Sequence, residues 1–184
     1  MVSASAIVIG ESWQYRKELE RMAQDLERWR RRKRLNERDF LAFERDVFYG
    51  AYIIRKLTEG RKLPDKIFRM TVSLRFFHNV KPVTYSNWDR IEENYDFSKS
   101  ARTRVNLPFI CNQLIHSYVF RPSAWMNGGL QYLYFASDRE RNKRLFRIGV
   151  KDLVRIFRKV AASRPKWLAG VFNEARGDFD FLIT

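Results

Sequence analysis

The apolar residues of this chain first change period near residue 65, and that change restricts the fold more than any other feature. Before it, Tyr15, Leu19, Met22, Leu26 and Trp29 recur every three or four residues, a narrow seam along one helix. Phe40, Phe43, Val47, Ile54 and Leu57 repeat the pattern, and Leu41, Phe48 and Tyr52 widen it into a more deeply buried face. After the change, Phe68, Met70, Val72, Leu74 and Phe76 alternate with Arg69, Thr71, Ser73 and Arg75. Period two with aromatic and β-branched residues means a strand with one buried and one wet face. The chain therefore mixes helices with a sheet.

Local signals place the remaining elements. Ser12 is the expected N-cap of the first helix, and Asn36 that of the second, with Glu37 and Asp39 in its first turn. Gly60 is expected to end the second helix in a left-handed conformation, followed by Pro64. Residues 81–85 could form a short edge strand around Pro82, and 86–101 a polar loop with one helical turn. Residues 103–107 read as a strand. Pro108 opens a helix burying Ile110, Cys111, Leu114, Ile115 and Tyr118, which Arg121-Pro122 ends. Residues 132–136 and 145–150 form a hairpin around a polar tip, and a last helix over 151–162 buries Leu153, Ile156, Phe157 and Val160.

Several short strands outside a regular β-α-β rhythm point to an α+β fold. The expected architecture is an N-terminal αα hairpin on a small antiparallel or mixed sheet of about four to five strands, with two further helices. Residues 1–11 form an N-terminal tail with no secretory pattern, 12–166 one domain (helical hairpin 12–60, sheet and helices 67–166) and 167–184 a tail. That tail, Asp178-Phe179-Asp180-Phe181, is acidic and alternating. It could add an edge strand here or in a partner, or lie on basic surface. With 184 residues and 45% apolar composition the chain can bury a sizeable core. No run is long and apolar enough for a membrane span, and the single cysteine, Cys111, points to a reducing, cytoplasmic setting.

Charge says most about partners. Lys and Arg number 36 against 21 Asp and Glu, a formal charge of +15. More than half of that excess lies in residues 139–166. Arg139, Arg141, Lys143 and Arg144 occupy the hairpin tip, and Lys151, Arg155, Arg158 and Lys159 one side of the last helix. Carboxylates there are scarce, so these eight groups are the expected phosphate contacts, with Arg69 and Arg75 extending the surface across the sheet. Arg28, Arg30, Arg31, Arg32, Lys33 and Arg34 form a secondary basic patch. Trp29 belongs to the helical seam, and few exposed aromatics can be named, so stacking on bases is not expected.

Signals for chemistry are thin. Asn112 and His116 lie one turn apart on a helix. The run Cys111-Asn112-Gln113-Leu114-Ile115-His116 resembles the Arg-x4-6-His motif of HEPN-domain ribonucleases, with Cys where the catalytic Arg would hold phosphate. The resemblance covers six residues and the strands do not suit an all-helical HEPN bundle, so no family is assigned. His78 and His116 are the only histidines, too few for an ordinary zinc site. Pro64-Asp65-Lys66 lacks the second half of a nuclease signature, and Gly128-Gly129 is no phosphate-binding fingerprint. Asp89, Glu92, Glu93 and Asp96 read as capping and solvated groups. No metal or cofactor is expected.

The expected function is non-catalytic binding of DNA or RNA, as a subunit or accessory of a larger assembly. The alternatives are a ribonuclease using His116, and a protein-interaction subunit docking through the C-terminal tail or helical hairpin.

Overall fold

The computed structural model describes residues 4–125, 128–165, 168–175 and 177–183. In chain order the elements are α1 (Ala4–Arg31), α2 (Glu37–Glu59), α3 (Asp65–Phe68), β1 (Thr71–Asn79), α4 (Ile91–Asn94), β2 (Tyr95–Asn106) and α5 (Leu107–Ile115). Then follow β3 (Ser117–Trp125), β4 (Gly128–Ser137), β5 (Arg144–Gly149), α6 (Val150–Ala162), β6 (Leu168–Asn173) and β7 (Asp178–Ile183). Five strands form one antiparallel sheet in the order β2-β1-β5-β4-β3. The mixed α+β architecture with an N-terminal helical hairpin is as the periodicity predicts.

The main core lies between the sheet and α1, α2, α5 and α6. Val72, Leu74, Leu133, Phe135, Phe146 and Ile148 point from the strands into it, and Leu19, Met22, Leu26, Phe43, Val47, Ile54, Leu114, Leu153 and Phe157 meet them from the helices. Each such side chain, fully buried, contributes about 1.5–3 kcal/mol before entropy is counted. All four long helices therefore occupy one side of the sheet. Among the described residues, the other side has a small cluster at one end, where Val83, Ile91 and Tyr95 cover Phe77, Val119, Ala136 and Leu145.

Several local expectations are corrected. Helix α1 begins at Ala4, so Ser12 is buried within it and is not its cap, and residues 4–11 are helix where a tail was expected. Its main partner is α6, not only α2: Arg16, 2% exposed, donates to the carbonyls of Val160 and Ser163 at the end of α6 and of Lys62 beyond α2. Asn36 caps α2 as expected, and Asp39 answers it to close a capping box. Phe40, Leu41 and Tyr52, however, face outward, because the helix turns its Phe43, Val47 and Ile54 stripe to the core. At the end of α2, Gly60 keeps an ordinary φ of −77° and Arg61 takes the left-handed turn at 52°.

In the sheet, Phe68 closes the one-turn α3 and β1 starts only at Thr71. Phe77 shares the face of Ser73 and Arg75, away from the main core, and is buried in the small cluster there. Residues 81–85 form no strand; the Val83 N–H is held by Asn142 Oδ1 at 2.7 Å instead. Strand β2 begins at Tyr95, well before residue 103. Helix α5 stops at Ile115, and Tyr118, Arg121 and Pro122 lie in β3. Pro122 fits there because β3 is an edge strand that needs no second ladder. Gly128 and Gly129 adopt φ of 94° and 79°, and a Cβ on either would run into the backbone of Lys33 or Arg30 at the end of α1. The C-terminal segment pairs β7 with β6 in a separate two-stranded sheet.

Candidate nucleic-acid interface

The side of the sheet away from the four long helices carries the arrangement that the sequence did not reveal. Cross-strand partners share a face. Arg102 of β2 stands opposite Arg75 of β1, Arg75 opposite Arg147 of β5, Arg147 opposite Tyr134 of β4, and Tyr134 opposite Arg121 of β3. One continuous row of four arginines and a tyrosine thus crosses all five strands, a span of roughly 19 Å at about 4.8 Å per strand. The next row adds Arg104 opposite Ser73, and Tyr132 opposite Ser123.

Among the described residues, none of Arg75, Arg102, Arg104, Arg121 and Arg147 forms an ion pair; Arg75 donates only to Ser100 Oγ at 3.2 Å. Arg147 instead lies over aromatic rings, 4.3 Å from the centroid of Tyr132 and 6.0 Å from that of Tyr134. Phe97 of β2 extends the aromatic surface, 5.7 Å from Tyr134 and stacked on Phe77 at 4.5 Å. Like charges directly opposite one another destabilise a sheet, and among the described residues no carboxylate pairs with the three adjacent arginines Arg102, Arg75 and Arg147.

The eight cations named from the sequence sit differently. At the hairpin tip Arg141 pairs with Asp138 at 3.2 Å, Lys143 with Glu140 at 3.6 Å and Arg144 with Glu140 at 2.7 Å. On α6, Arg155 pairs with Asp152 at 2.8 Å, and Arg158 approaches Glu20 of α1 at 3.9 Å. Arg139, Lys151 and Lys159 are exposed, with no ion pair among the described residues. The tip and the start of α6 lie at opposite ends of β5, so the eight groups do not share one end of the sheet. Arg69 ends α3 and pairs with Asp65 at 3.7 Å; Arg75 alone of that pair joins the row.

The secondary patch is largely neutralised from within. Arg28 pairs with Asp25, Arg30 and Arg31 share Glu27, and Arg32 reaches Asp39 at 2.8 Å. The hydrogen bond from Arg30, with Arg31 beside it, pulls the Glu27 carboxyl down to about 2. Lys33 and Arg34 remain unpaired among the described residues. Asn112 and His116 do meet, in a cleft built with Arg55, Phe109, Gln113, Ser137, Asp138 and Arg139. His78 is exposed on β1. The acidic cluster gathers no metal site among the described residues: Glu93 pairs with Lys81 at 3.3 Å and Asp96 accepts from Ser98. No described helix is long and apolar enough to cross a membrane.

No family model, no curated protein and no solved structure matches this chain. The functional reading rests on the geometry alone.

Proposed function

We propose that this protein binds single-stranded nucleic acid on the open face of its sheet. The observation that carries the reading is the uninterrupted row Arg102–Arg75–Arg147–Tyr134–Arg121. Arginine forks bind phosphate oxygens bidentately, and exposed aromatic faces accept bases of any sequence. A sheet face presents both on one surface, and a single strand lying across it can contact cations and rings together. A polyanion also relieves the repulsion among the facing arginines, which no carboxylate offsets among the described residues. The cations of the hairpin tip and of α6, mostly paired internally, are secondary contacts in this reading.

The place of the protein in a larger assembly is a second part of the proposal. It is favoured by α2, which leaves Leu41, Tyr49 and Tyr52 exposed at 60%, 42% and 44%. Apolar groups clustered on a surface mark interaction sites more often than isolated ones do.

The test compares two double charge reversals by fluorescence anisotropy with labelled single-stranded RNA, single-stranded DNA and duplex. Arg75→Glu with Arg147→Glu should abolish binding to the single strands. Arg155→Glu with Arg158→Glu should weaken it only modestly. Equal loss from both pairs would move the interface off the sheet, and no binding by the unaltered protein would remove the reading.

A further inference from the structure

We infer that the cleft around His116, on the helix-covered side of the sheet, is a binding site for a terminal phosphate, the phosphomonoester of a nucleotide or of a nucleic-acid end. It does not depend on the open-face reading, because its walls come from α2, α5 and the β4–β5 tip. The cleft has a volume of about 460 Å³, within the range of small-ligand pockets.

Donor side chains from three elements line it, among them Arg55 from α2, Asn112 from α5, His116 at the end of α5, and Arg139 from the hairpin tip. Arg55 Nη1 lies 3.5 Å from His116 Nε2, so both groups face the same space. The carboxylates nearby are already engaged. Glu59 accepts from Arg55 Nε at 2.7 Å, which draws the Glu59 carboxyl below its usual range and leaves Arg55 Nη1 turned toward His116 and not toward a carboxylate. Asp138 is paired with Arg141. Arg139 has no ion-pair partner among the described residues.

The walls are fixed before any ligand arrives. Gln113, buried, accepts from Ser137 N–H at 3.0 Å, and Asp138 N–H donates to the His116 carbonyl at 3.2 Å, locking α5 to the hairpin. Two guanidiniums with amide and imidazole donors around a fixed backbone suit the free oxygens and higher charge of a monoester better than an internal diester.

The experiment follows the ring resonances of the two histidines by NMR, with His78, which does not line the cleft, as internal control. Inorganic phosphate should shift the His116 signal saturably at constant ionic strength while His78 stays put. Arg55→Gln and Arg139→Gln should each weaken phosphate roughly tenfold, the loss of one charge-assisted bond. Asn112→Asp should weaken it without touching either arginine. Arg75→Glu with Arg147→Glu should leave it unchanged, which separates failure here from failure of the open-face reading. A nucleoside 5′-monophosphate and a 5′-phosphorylated oligonucleotide should both compete, the tighter one naming the source; an unphosphorylated oligonucleotide should not compete at this signal. Parallel shifts of His116 and His78, or an affinity indifferent to Arg55 and Arg139, would overturn the site.

Discussion

Arg75 on β1 stands directly opposite Arg147 on β5, and Arg102 flanks the pair from β2, with no carboxylate paired to any of the three among the described residues. Facing like charges cost a sheet a few tenths to about 1 kcal/mol per pair. Arg75→Gln should therefore leave the free protein as stable or raise its stability by up to about 1 kcal/mol, even as it weakens nucleic-acid binding. Thermal unfolding should also shift upward with added salt in the unaltered protein, and less so in the variant. A stability loss in Arg75→Gln that salt does not alter would contradict the repulsion.

Gly50 in α2 lies against the ring of Phe157 in α6, and a Cβ there would overlap that ring. Replacing a mid-helix glycine by alanine ordinarily gains about 1 kcal/mol. Here Gly50→Ala should instead destabilise by about 1–3 kcal/mol through overpacking. Combining it with Phe157→Leu should recover part of the loss, read as the coupling in a double-mutant cycle of denaturant unfolding.

Arg16 joins α1 to the ends of α6 and α2. Its Nη1 donates to Val160 O at 2.9 Å and its Nη2 to Lys62 O at 2.6 Å. Burial, with Arg164 nearby, lowers its pKa to about 10. Arg16→Met keeps most of the volume but strips carbonyls of their donors, at a cost of roughly 2–4 kcal/mol. Chemical denaturation should report that loss with little change in nucleic-acid binding at low denaturant.

Cys111 is buried, and burial pushes its thiol up to about 12 from an ordinary 9.0. In the unfolded chain the thiol ionises near 9.0, whereas the folded protein holds its proton until near 12. The unfolded state binds fewer protons across that window, so stability falls as pH rises through it, by up to about 1.4 kcal/mol per pH unit from this group. Cys111→Ala should flatten that alkaline decline. At neutral pH, native protein should react with thiol reagents far more slowly than denatured protein, and equal rates would show the thiol to be accessible.

Much of the fold was legible from period alone. Val72 and Leu74 inward, Ser73 and Arg75 outward, the Asn36 cap and the return strand expected over 145–150, observed as Arg144–Gly149, all follow from local pattern. The row of arginines was not legible, because Arg75, Arg102, Arg121 and Arg147 lie far apart in sequence and meet only once strand order and register are known. The first part of β2, before residue 103, hid for a related reason: as an exposed edge strand it has almost no buried face to alternate. Local charge density pointed instead to 139–166, where carboxylates three or four residues away, Glu140 and Asp152, neutralise neighbouring cations. Phe40, Leu41 and Tyr52 fit a helical stripe on paper, yet only the angle at which α2 meets its neighbours decides which apolar residues are covered.

The most direct test of the account is the salt dependence of binding to a labelled single-stranded oligonucleotide. Four phosphates neutralised by the arginine row give a log–log slope of about −2.8. The chain with Arg75, Arg102, Arg121 and Arg147 all replaced by Gln should bind with a slope shallower by nearly that amount. Identical slopes for the two proteins would contradict the open sheet face as the site of contact.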